Sequence, residues 1–179
     1  MKENDNTFFE RFVTIGLLNS FAEEYKNELK DYFSNGDIQV QTYDFETNLT
    51  EYKPIYAVRE IKETIEDKET KYKPEYYKII FDDSSSIICS DRHMFYIGSY
   101  GKNLSFKFAC NLSKGNILYG INQNFNSNIL EHKKIVNIEI LENPVKLYDL
   151  QIKGGVYLTN GILSHNSTIN SAITYGLYG

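Results

Sequence analysis

The 179-residue chain carries 19 Lys and Arg against 24 Asp and Glu, for a net charge of −5, and is 41% hydrophobic and 24% charged. That length suits one domain, or one domain with appendages, and the composition is that of a globular protein able to bury a real core. The acidic balance and the lack of a Lys/Arg-rich patch argue against sequence-independent phosphate binding, and so against a nucleic-acid surface.

Met1 is followed by K-E-N-D-N with no apolar stretch behind it, and no window approaches the roughly 18 apolar residues of a membrane span. A cytoplasmic chain is expected. Residues 8–33, "FFERFVTIGLLNSFAEEYKNELKDYF", place Phe12, Ile15, Leu18, Phe21, Ala22, Tyr25, Leu29 and Phe33 near one face of a helix, with Glu and Lys on the other. The spacing predicts one helix over about 14–32, ended by Ser34-Asn35-Gly36.

From there alternation replaces the helical period, and 15 Tyr and 11 Phe against 3 Pro favour strands. "DIQVQTYDF" and "YKPIYAVREI" read as strands, "YYKIIFDD" and "SSIICSD" as a pair about a turn near Asp83-Ser84, followed by "HMFYIGS" and "NLSFKFAC". The Glu/Lys-rich stretch between Glu60 and Pro74 reads as a solvated excursion. "KIVNIEILEN", "VKLYDLQIK" and "GVYLTNGILSH" complete the count. In the last, Asn160-Gly161 is a strong hairpin signal, because a type I′ turn needs positive φ at both central residues. Many short strands after an N-terminal helix, with no repeat period, give a mostly β domain of long curved hairpins.

His165-Asn166-Ser167 leaves the last of these strands. An Asn side-chain amide can attack its own backbone carbonyl and cut the chain behind it, a neighbouring imidazole can protonate or polarise that carbonyl, and the following Ser offers a nucleophile. Upstream, Ser90 stands three residues before His93. Each residue also has an ordinary reading: His93 as a satisfied core histidine, Asp149 as a turn cap, Ser90 as a structural hydroxyl. His132 reads as surface. Cys89 and Cys110 are too few and too isolated for a disulfide framework or a metal site, and read as core residues.

"VKLYDLQIKGGVYLTNGILSHNS" resembles the C-terminal splicing motif of inteins, members of the Hint superfamily, with Tyr148-Asp149, Asn160-Gly161, His165-Asn166 and Ser167 in the family's order. "ICSDRHMFYI" resembles their upstream Thr-x-x-His motif, with Ser90 in place of Thr and Met94 where Pro is usual. Two departures stand out. Gly154-Gly155 occupies the place where many inteins carry a His, leaving Asp149 as a candidate for that proton-handling role. Nothing near Met1 resembles the family's first residue and first strand; "FSNGDIQVQT" imitates that strand, but its first position falls on Phe33, which has no nucleophile.

The tail "STINSAITYGLYG" resembles the segment just after the P-loop Lys in SMC-like ATPases of DNA recombination nucleases: Ser167-Thr168, then a helix. Asn166 stands at the Lys position, so joining Ser167 to a segment ending in Gly-Lys would restore a P-loop.

Together these resemblances imply a mostly β Hint (intein) horseshoe with an N-terminal helical segment. Residues 1–166 would be the C-terminal fragment of a split intein and residues 167–179 an extein stub. They imply single-turnover, autocatalytic protein splicing in trans with a short N-terminal intein fragment carrying the other extein, without cofactor, metal, nucleic acid or membrane. His93, helped by Ser90, would activate the first splice-site bond. Ser167 would attack it with Asp149 assisting, and Asn166 would cyclise with His165 as proton donor. Ser167 and Thr168 would meet nucleotide and Mg²⁺ only in the ligated host. The alternatives are a Hint autoprocessing domain that cuts between Asn166 and Ser167 without ligating, an inactive copy, an ATPase fragment, and a plain β interaction module.

Overall fold

The computed structural model describes residues 15–61, 75–100, 103–122, 129–143 and 145–165; most of the Glu/Lys-rich stretch and the segment from Asn166 onward lie outside the described residues. The single helix predicted over 14–32 is two helices, α1 (Ile15–Glu24) and α2 (Lys26–Asn35). Tyr25, at φ −111° and ψ 39°, separates them. The bend lets Leu18 and Ala22 of α1 and Leu29 and Phe33 of α2 reach one apolar cluster with Ile55, Leu150 and Ile152. Phe21 and Tyr25, which a straight helix would bury on the same stripe, are each 43% exposed and lie against each other. Helix α2 stops where the sequence indicates. Gly36 adopts φ 76° and gives its N–H to the Phe33 carbonyl, while Asp37 bonds back to the Tyr32 carbonyl.

The strands are β1 (Gln39–Asp44), β2 (Leu49–Ile61), β3 (Tyr76–Phe81), β4 (Ser86–Ser90), β5 (Met94–Tyr100), β6 (Asn103–Phe108), β7 (Ile117–Gly120), β8 (Glu131–Leu141), β9 (Leu147–Ile152), β10 (Val156–Thr159) and β11 (Ile162–His165). Every pairing is antiparallel. Strand β7, in "NILYG", is the one that alternation did not single out. Its four residues are short for a period-2 signal, and it ends on a glycine.

Two sheets result. One has the order β1-β2-β9; the other runs β4-β3-β8-β7-β11-β5-β6, with β10 paired to β11. A bond from the fully buried Thr42 hydroxyl on β1 to the Val156 carbonyl on β10 ties the first sheet to that hairpin. Strand β11 is covered on both faces. Ile162 enters the cluster of Ile79, Phe95 and Leu118, and its neighbour Leu163 enters that of Tyr43, Tyr96 and Leu158. Each such side chain contributes on the order of 2 kcal/mol of burial, so the strand that ends at His165 is among the most firmly held.

The β10–β11 turn is type I′ as expected, with Asn160 at φ 49° and Gly161 at φ 73°. The Asn160 amide donates to the Ser86 carbonyl at 3.0 Å. Gly120 is required beside this turn, since a Cβ there would lie 2.1 Å from the Gly161 carbonyl oxygen. Next to it, the buried Lys133 ammonium pairs with Asp83 in the β3–β4 turn. Burial opposes ionisation of Asp83, but hydrogen bonds from Lys133 and Ser85 outweigh it and hold the carboxyl at about 2.

Asp83→Asn should therefore lower unfolding stability by about 2 kcal/mol, because it leaves Lys133 buried without its counter-charge, while solvent on the Asp83 side softens the loss. Asp83 titrates lower in the folded chain than in the unfolded one, so its contribution is complete above roughly pH 4 and fades as pH falls through about 2. Denaturant unfolding of the two proteins at neutral pH measures the difference; a loss under about 0.5 kcal/mol would show that water serves Lys133 as well as Asp83 does.

Among the described residues, no helix is long and apolar enough to cross a membrane.

Candidate active site

The Ser90–His93 segment forms a tight turn between β4 and β5, in which the His93 N–H donates to the Ser90 carbonyl at 3.1 Å. Three further backbone bonds pin it: Asp91 to the Glu75 carbonyl, Cys110 to the Asp91 carbonyl, and Ala109 to the His93 carbonyl. The His93 backbone is thus held from both sides. Its imidazole lies edge-on to Phe95, with ring centroids 4.7 Å apart.

His165 ends β11 and lies edge-on to Phe106 at 4.5 Å. Ser164 is paired with Phe95 across β11 and β5, which brings His165 to the level of the first residue of β5, next to His93. The protein packed around His93, and then the charge of His165, push its imidazole down to about 4. Burial lowers His165 as well. Near neutral pH both rings are uncharged, so each nitrogen pair offers one donor and one acceptor.

His93 opens onto a cleft of about 140 Å³ whose walls include Ile87, Ile88, Cys89 and Ser90 of β4, Lys146, Leu147 and Tyr148, and Tyr157 and Thr159 of β10. Side chains alternate faces along a strand, so a run of four consecutive residues lining one cleft means that the edge of β4 faces it. Among the described residues β4 and β9 are each the outer strand of a sheet. The cleft lies between those two sheet edges, with Ser90 and His93 at one end.

Asp149 sits on β9 opposite Arg59 in register and is not among the lining residues. Tyr157, which lines the cleft, is a buried residue whose hydroxyl is pushed well above the ordinary tyrosine range, by burial first and then by the Asp149 charge. In sequence Tyr157 reads only as one more apolar strand residue of "GVYLT", so nothing flagged it. At the Gly154-Gly155 position, Gly154 has φ 124° and a Cβ would lie 2.9 Å from Lys53 Nζ, a backbone that favours glycine.

Asn166, Ser167 and Thr168 lie outside the described residues. Cys89 is a core residue as expected, and burial lifts its thiol to about 12. Cys110 is not: it is exposed in the short 3₁₀ turn Ala109–Asn111, where its N–H rather than its side chain serves the fold. His132 is exposed.

Solved structures share this fold. The PabCDC21-1 intein matches with a TM-score of 0.61 at 19% identity, over 86% of this chain and 89% of that one. The fold is that of an intein. The transcription factor IIB Mvu mini-intein gives 0.59 at 17% identity, over 86% and 90% of the two chains. A DnaB intein from Synechocystis sp. PCC 6803 gives 0.57 at 16%, over 78% and 86%. No family model and no curated protein matches the sequence. The expected mostly β intein horseshoe with a helical N-terminal segment is the observed architecture, and within it His93 opens onto the cleft between β4 and β9, near enough to His165 to feel its charge.

Proposed function

We propose that the chain is an autocatalytic protein-splicing domain that works in trans, residues 1–166 acting as the C-terminal part of an intein and residues 167–179 as an extein segment. The observation that carries this reading is the convergence of His93 and His165 at the end of β11, immediately before Asn166-Ser167. Two neutral imidazoles, one in the β4–β5 turn and one at the end of β11, each from a different motif of the sequence, suit two proton transfers at two peptide bonds.

The partner is a short N-terminal intein fragment carrying the first splice site. As an extended peptide it would enter the cleft and pair with β4 or β9, each an outer strand among the described residues, bringing its scissile carbonyl to His93 and Ser90.

The thiol or hydroxyl of the partner's first residue attacks the preceding carbonyl, giving an ester or thioester and a free amine. His93 polarises that bond and passes the proton. The Ser167 hydroxyl then displaces the (thio)ester, with Asp149 acting through Tyr157 and the local field. The Asn166 side-chain nitrogen attacks its own backbone carbonyl and releases Ser167 with a free amine, the proton coming from His165. That amine takes the acyl group from the Ser167 oxygen, leaving a peptide bond. Rejoining Ser167-Thr168 to a Gly-Lys end would rebuild a P-loop of the recombination-ATPase kind.

The test extends residues 167–179 with a tag, adds a synthetic N-terminal intein peptide, and follows intact mass. A ligated product with a released fragment ending in succinimide is the expected result. Release of the segment from Ser167 without ligation would assign autoprocessing instead. An unchanged mass with peptide bound would end the autocatalytic reading.

A further inference from the structure

Tyr157 is 3% exposed and packs among Phe33, Ile55, Leu150 and Ile152, neighbours that a phenylalanine would satisfy without an oxygen to desolvate. Strand β10 places that oxygen. Tyr157 and Thr159 stand two apart on it and so share a face, both line the cleft with His93 and Ser90, and the Thr159 hydroxyl donates to the Tyr157 oxygen. The oxygen end of the ring therefore lies at the cleft wall, with its own proton left for another acceptor. Burial and the Asp149 charge keep that proton in place far above neutral pH, so the group is a permanent donor.

Attack on a peptide carbonyl puts negative charge on its oxygen, and donors fixed in advance around that oxygen stabilise it most. Two backbone donors of the turn that carries His93 are already spent: the Asp91 and His93 N–H groups donate to the Glu75 and Ser90 carbonyls. The His93 ring is taken up by the proton transfer, and Lys146 lies mostly in solvent beside Glu60. Among the hydroxyls that line the cleft, Tyr157 carries the most deeply buried, and hence the one whose place is best fixed. We infer that Tyr157 is a catalytic residue of the first splicing step: its O–H donates to the scissile carbonyl oxygen of the bound N-terminal fragment as that oxygen becomes an oxyanion. This rests on the splicing reading and deepens its first step. The bond that forms joins the partner's sulfur or oxygen to the carbonyl carbon, while the carbonyl π pair moves onto the oxygen beside Tyr157. Return of that pair breaks the carbon–nitrogen bond, and the departing nitrogen takes the proton passed by His93; Tyr157 keeps its own.

The experiment compares the full chain with Tyr157→Phe, which removes only the oxygen, and Thr159→Val, which removes only its hydrogen-bond partner. Each is mixed with a labelled synthetic N-terminal intein peptide, and peptide affinity, formation of the hydroxylamine-sensitive ester and melting temperature are measured on the same sample. Tyr157→Phe should form the ester about a hundredfold more slowly, the cost of one oxyanion donor, while binding the peptide within about threefold of the parent and melting within about 4 °C of it. Thr159→Val leaves the donor and loses only its orientation and polarisation, so ester formation should slow by roughly threefold to tenfold. Ester formation by Tyr157→Phe within about threefold of the parental rate would overturn the inference. So would a loss of ester formation that follows an equal loss of peptide affinity, which marks a hydroxyl that shapes the cleft. A parent chain that binds the peptide and forms no ester would overturn the splicing reading itself.

Discussion

Asn166→Ala is expected to end release of the segment beginning at Ser167. Alanine has no amide to close onto the backbone, so the five-membered ring cannot form. Intramolecular attack from a held geometry gains effective molarities of roughly 10⁵ M or more, so the rate should fall by at least about a thousandfold, below detection by intact mass over a day. His165→Ala should do less, on the order of a hundredfold, since it removes proton donation and leaves the nucleophile. First-site ester formation should survive in both variants, because His93 belongs to the β4–β5 turn and to a different motif. If Asn166→Ala still released a fragment starting at Ser167, cleavage would be by hydrolysis, and the arrangement of the two imidazoles would need another explanation.

Much of this was legible in the chain because the informative residues are local. Asn160-Gly161 dictates a turn whose φ angles only such a pair adopts readily, and Gly36 closes α2 in the same way. His93 and His165 could be singled out by their short motifs, but their meeting is long-range: it depends on Ser164 pairing with Phe95 across 69 residues of sequence. Sequence periodicity also merged α1 and α2, because the apolar stripe runs on through Tyr25. Only the demand that both halves reach Ile55 and Leu150 bends the chain there. Tyr157 escaped for the opposite reason. In a strand buried on both faces, a polar atom's importance lies in what it faces, and neither residue type nor period reports that.

His93→Ala should abolish activation of the partner's first bond, by roughly a hundredfold or more, while slowing release of the Ser167 segment much less. Its pH dependence gives a sharper test. The imidazole is held down to about 4 by the surrounding protein and by His165, so it stays neutral where an exposed histidine would already be charged. Hydroxylamine-sensitive ester formation should therefore stay level from pH 8 to about 5 and drop only as pH approaches 4. The same shift has a stability consequence of fixed sign. The unfolded chain binds a proton at this histidine near pH 6.5, before the folded chain does, so stability is highest above 6.5 and declines as pH falls toward about 4, below which the loss is complete. Because His93 keeps some contact with the cleft, the decline should be nearer 2 kcal/mol than the roughly 3 that the full shift would give. His93→Gln should flatten that part of the stability profile, leaving the smaller slope due to His165, whose imidazole is lowered in the same direction. An activity midpoint near 6.5 in the parent chain, or an unchanged stability slope in His93→Gln, would place the reacting imidazole in solvent and sever the link between the buried turn at Ser90–His93 and the first splice site.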